Sequence, residues 1–71
     1  MTTEIPLSPR ERRVADLVAQ GYTNIAIARR LGISPQTVKN HISNIYDKMN
    51  LRQPDRHPRV TLALRWNGKS P

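Results

Sequence analysis

The chain has 71 residues, enough for one small domain with a thin core. It has no cysteine, which excludes disulfides and a thiolate zinc site, leaves helix packing to hold the fold and suits a reducing compartment. Lys and Arg number 12 against 5 Asp and Glu, a net charge of +7 with a pI near 11.2. That positive potential attracts polyanions by counterion release.

Residues 1–6 lack the basic start and apolar run of a signal peptide and read as a flexible N-terminal segment. The first helix opens at Ser8, an N-cap, with Pro9 at the first helical position and Glu11 completing a Ser-x-x-Glu capping box. Val14, Leu17 and Val18 recur at helical spacing beside Ala15, and Leu7 is placed to staple onto the first turn. Gly21 is the expected C-terminal cap.

A second helix starts after Thr23 as N-cap and turns Ile27, Ala28 and Leu31 inward, with Ile25 at the flank. Gly32 stops it by taking a left-handed conformation, and Ile33 tucks into the turn. Ser34 and Pro35 then open a third helix of about 35–49. Val38, Ile42, Ile45 and Met49 make one apolar stripe along it. Its other face carries Gln36, Lys39, Asn40, Ser43, Asn44, Asp47 and Lys48, with one acid among them, and Asn50 is a candidate end cap. A loop over 51–58 contains Pro54 and Pro58. A fourth helix is expected from about Pro58 to Asn67, with Val60, Ala63 and Leu64 on one face and Leu62 and Trp66 on another. Residues 68–71 read as a flexible tail.

A short helix, a turn at Leu31-Gly32-Ile33 and a second helix form the pattern of a helix-turn-helix. In so basic a chain this points to double-stranded DNA, with the third helix in the major groove. No apolar run approaches the ~20 residues needed to cross a bilayer, and no basic helix has a broad aromatic face. A soluble cytoplasmic protein with no membrane partner is therefore expected.

The ordered set Leu7-Ser8-Pro9-Arg10-Glu11, Gly21-Tyr22-Thr23-Asn24, Ile27-Ala28, Leu31-Gly32-Ile33-Ser34 and Thr37-Val38-Lys39-Asn40-His41 resembles the LuxR/GerE-type helix-turn-helix domain. The resemblance runs over residues 7–66 and implies an all-α four-helix bundle spanning 7–67. It further implies that the third helix reads DNA, that the fourth makes a homodimer contact, and that the domain serves as the output of a response regulator or stands alone. The chain departs from the pattern at Ile25-Ala26, where the family often has Lys-Glu, and in a loop about two residues longer around Gln53-Pro54-Asp55.

Base reading needs groove-facing side chains near the start of the third helix, which selects Lys39, Asn40 and Ser43. Lys39 can donate to guanine, and Asn40 can form a two-bond contact with adenine. Thr23, Gln36 and Thr37 at helix N-termini, with Asn44 and Lys48 further along, are candidates for phosphate. Ser34 is assigned to capping, and Arg29 and Arg30 either flank the backbone or solvate the second helix. Leu62 and Trp66 are the candidate dimer contact. His41 has no metal or catalytic partners at suitable spacing, and Ser43, His41 and Asp47 on two turns of one helix do not make a triad. No enzyme, cofactor, metal or small-molecule ligand is expected.

The leading reading is a sequence-specific transcriptional regulator or its output domain, with RNA polymerase a candidate further partner. A sigma-factor-like promoter-recognition domain is disfavoured by His41, where such domains usually place arginine, and by the fourth helix. A protein-interaction module on the same fold would work through the fourth helix instead. These residues contain no receiver or ligand domain, so an input signal is expected to come from elsewhere.

Overall fold

The computed structural model describes residues 6–67. It contains four helices, α1 (Pro9–Ala19), α2 (Asn24–Leu31), α3 (Pro35–Lys48) and α4 (Pro58–Asn67), and no strand among the described residues. The all-α, four-helix expectation is borne out. The segments expected to be flexible, 1–6 and 68–71, lie outside the described residues apart from Pro6.

The helix starts follow from local chemistry. At α1 the Ser8 N–H donates to Glu11 Oε1 at 2.9 Å, while the Glu11 N–H donates to Ser8 Oγ at 3.2 Å. This reciprocal pair satisfies two backbone donors that have no partner inside the helix. Thr23 accepts from the Ala26 N–H at 3.2 Å and Ser34 from the Thr37 N–H at 3.0 Å.

The first three helices end in one way. Gly21, Gly32 and Asn50 take positive φ (94°, 68° and 55°), and each following N–H turns back to a carbonyl five residues earlier. These bonds run from Tyr22 to Leu17 at 3.1 Å, Ile33 to Ala28 at 3.0 Å and Leu51 to Tyr46 at 2.8 Å. The left-handed residue reverses the chain and satisfies late carbonyls. No heavy atom outside the immediate chain lies within 4 Å of a Cβ built on Gly32, so its glycine is required by conformation and not by space. Gly32→Ala is therefore expected to destabilise the domain by about 1–2 kcal/mol with no steric clash, as measured by urea unfolding.

The core gathers one stripe from each helix: Val14, Ala15, Leu17 and Val18 from α1, Ile27 and Ala28 from α2, Val38, Ile42 and Ile45 from α3, and Leu62 from α4. Leu7, Met49 and Leu51 close its ends. Helix α4 packs against α1, and α3 against both α1 and α2. That leaves one long side of α3 facing solvent.

Two expectations for α4 are corrected. Leu62 is 0% exposed and belongs to the core, and Trp66 is half-buried against that core, its Nε1–H donating to Asp16. Packing on α1 consumes the Leu62/Trp66 face, because the three other helices leave the core open on that side. The outward apolar side chains of α4 are Val60 (56% exposed) and Leu64 (69%).

Candidate nucleic-acid interface

With Val38, Ile42 and Ile45 turned inward, the 3.6-residue repeat sorts the remaining side chains of α3 into three rows. Gln36, Asn40 and Asp47 run along the outermost line, and all are exposed. Lys39, Ser43 and Tyr46 form one flank, and Thr37, His41, Asn44 and Lys48 form the other. A recognition helix brings side chains from the N-terminal part of its outward side to base edges, and the start and borders of that side pass the strand backbones. The candidate residues of α3 therefore lie on one continuous surface, and Thr23 caps the start of α2, whose Asn24 lines the same cleft as Lys39 and Ser43.

The hydrogen bonds on this surface change what several residues can do. Gln36 Nε2 donates to Asn40 Oδ1 at 3.1 Å. A two-bond contact to adenine uses both ends of the Asn40 amide, so Gln36 must release it or approach the same base step with it. The hydroxyls of Ser34 and Thr37 lie 2.9 Å apart and share a hydrogen bond, so Thr37 is already tied to the N-cap. Ser43 Oγ accepts from Arg52 Nη2 at 2.6 Å, and Arg52 Nε donates to Asp47 Oδ1 at 2.7 Å. Arg52 thus neutralises the one acid on the outer row and sits over the ring of Tyr46, 5.4 Å from its centroid.

Lys48 also closes the fold. Its Nζ donates to Glu11 Oε1 at 2.8 Å, joining the end of α3 to the start of α1. Glu11 is 5% exposed. Burial pushes its carboxyl up, but Lys48 and the two Ser8 hydrogen bonds outweigh this and hold it below the ordinary value of 4.5. This ion pair competes with any phosphate for the Lys48 ammonium, whose side chain is 39% exposed.

Arg59 carries the geometry that the sequence reading missed. From the first turn of α4, its Nη1 donates to Asn24 Oδ1 and its Nη2 to the Tyr22 carbonyl, both at 2.8 Å. It also approaches the hydroxyl of Tyr46, whose pKa is raised because burial outweighs the opposing pull of Arg59 and Arg52. Nothing local in Pro58-Arg59-Val60 signals this contact, because it depends on where α4 docks. Arg30 is likewise engaged, stacked 4.0 Å over the ring of Tyr22. Among the described residues no group of His, Cys, Asp and Glu is placed to hold a metal ion. No helix among them is long and apolar enough to cross a membrane.

Comparison with known proteins agrees with this geometry. The GerE family model, described as bacterial regulatory proteins of the luxR family, matches residues 5–56 and stops just before α4. The nitrate/nitrite response regulator protein NarL of Escherichia coli K12 is 50% identical over 46 residues, which is 65% of this chain and 21% of NarL. The probable transcriptional regulatory protein SgaR of Hyphomicrobium methylovorum is 49% identical over 45 residues, 63% of this chain and 21% of that protein. The transcriptional regulatory protein DegU of Brevibacillus brevis is 51% identical over 45 residues, 63% of this chain and 19% of DegU. The chain thus matches about a fifth of the length of each of these relatives.

Proposed function

The chain belongs to the luxR family of bacterial regulatory proteins, and we propose that it binds double-stranded DNA in a sequence-specific manner as a transcriptional regulator or as the output domain of one. The observation that carries this reading is the solvent-facing side of α3, which presents Gln36, Lys39, Asn40 and Ser43 in adjacent rows on a helix fixed by its buried stripe. The net charge of +7 supplies the sequence-independent attraction to the backbone. In this reading Lys39 and Asn40 read bases, Ser43 positions Arg52, and Thr23, Gln36, Thr37 and Asn44 face phosphates. The site is assigned no reaction and no cofactor, and the chain acts in the cytoplasm, where the chromosome lies.

Lys39→Ala is expected to weaken binding to the preferred duplex by about 1–3 kcal/mol and to relax base preference at one position. Selection of bound duplexes from a random pool, followed by titration of wild type and variant, measures both. An unchanged preference in the variant would remove Lys39 as a reader.

We place the homodimer contact on Val60 and Leu64, because these are the apolar side chains that α4 leaves exposed. A second copy across this face would set two α3 helices against two half-sites. Selected duplexes would then carry two related half-sites at a fixed spacing, and a single half-site with no partner would count against the dimer.

A further inference from the structure

Between the start of α2, the Lys39 flank of α3 and the first turn of α4 lies a cleft of about 310 Å3. It is lined by Asn24, Lys39, Ile42, Ser43, Tyr46, Arg52 and Arg59. The lining holds three cations and no carboxylate. Asp47, outside the lining, offsets the charge of Arg52, whereas Arg59 is held by the neutral acceptors Asn24 Oδ1 and the Tyr22 carbonyl, so its charge continues to attract an anion.

Two features suit this cleft to an oxyanion. The first is preorganisation. Arg59 is held by Asn24 and the Tyr22 carbonyl, and Arg52 by Asp47 and Ser43, so both guanidinium planes are fixed before anything binds. The bonds that fix each plane leave further N–H donors on it, and a fixed planar fork suits phosphate. The second is position. Lys39 and Ser43 belong both to the cleft and to the flank of α3, so a duplex that takes α3 into its groove brings one strand backbone past the opening.

We propose that this cleft seats one phosphodiester of the DNA backbone, with Arg59 of α4 as its anchoring ligand and Arg52 beside it. The proposal deepens the DNA-binding reading and rests on it. It gives α4 a DNA contact of its own, separate from Val60 and Leu64. It also ties the docking of α4 to the strand bordering the Lys39 flank, since Arg59 would bridge α2, α4 and the nucleic acid.

The test replaces the backbone phosphates of a selected duplex, one at a time, by neutral methylphosphonates, and measures binding of wild type and Arg59→Ala. The expected result is one flanking position where neutralisation weakens wild type about tenfold and leaves the variant nearly unchanged. The variant should also lose about one counterion from its salt slope, uniformly across sequences. A merely structural Arg59 would lower affinity without removing the sensitivity of one particular phosphate. If Arg59→Ala does not fold, Arg59→Gln keeps a donor toward Asn24 and drops the charge. A bound duplex with no sensitive flanking position, or variants as sensitive as wild type at every position, overturns the proposal and leaves the DNA reading intact. Failure of wild type to bind any duplex overturns both.

Discussion

Leu62→Ala is expected to destabilise the domain by about 2–5 kcal/mol, whereas Leu64→Ala, two residues along the same helix, should change stability by no more than about 0.5 kcal/mol. Leu62 is 0% exposed and packs with the α1 stripe, while Leu64 is 69% exposed. A domain of 71 residues has a total stability of only about 4–10 kcal/mol, so the first change removes a large part of it. Urea unfolding followed by helical circular dichroism reads both effects. Self-association should respond in the opposite way: Leu64→Ala weakens it while the monomer fold persists. A well-folded Leu62→Ala chain that had lost only its self-association would show that α4 had been assigned the wrong way round.

Helix α4 shows why part of the fold was legible and part was not. The starts and ends of the first three helices are written in short-range chemistry. Ser8 with Glu11, Thr23, Ser34 with Pro35, Gly21 and Gly32 each act within a few residues, and the structure places them as expected. The stripe Val38, Ile42, Ile45 and Met49 is long enough to fix which side of α3 is buried. Helix α4 offers Val60, Leu62, Leu64 and Trp66 around much of its circumference, so its periodicity permits two core faces. Docking on α1 decides between them, and that contact spans 50 positions from Asp16 to Trp66.

The candidate interface divides along the same line. The polar side of α3 follows from the apolar stripe, so Lys39, Asn40 and Ser43 could be found by elimination. The partners that set their chemistry could not. Arg52 reaches Ser43 from the loop after α3, Arg59 reaches Asn24 across 35 positions, and Lys48 reaches Glu11 across 37. Each is a long side chain whose cationic end is placed by tertiary packing. In a sequence with 12 Lys and Arg, charge alone does not separate those that face DNA from those that close the fold.

Glu11 and Lys48 make that separation testable. Glu11→Ala removes the acceptor for the Ser8 N–H and the partner of Lys48 together, and is expected to cost about 2–4 kcal/mol. Glu11→Gln keeps an oxygen for Ser8 but no charge, and it isolates the electrostatic part. In the wild type the folded state holds the Glu11 carboxyl below its ordinary 4.5, so folding favours the ionised form. The resulting stability is fully present above that value and is lost as pH falls from there through the lowered folded pKa. Subtracting the Glu11→Gln unfolding free energy from that of wild type, pH by pH, should give a difference that shrinks across this window. A difference that stayed constant would mean the pair contributes nothing through charge. Lys48→Ala completes the argument, because it should lower stability at neutral pH and leave the salt slope of DNA binding unchanged. A salt slope lower by about one counterion would instead return Lys48 to the phosphate backbone.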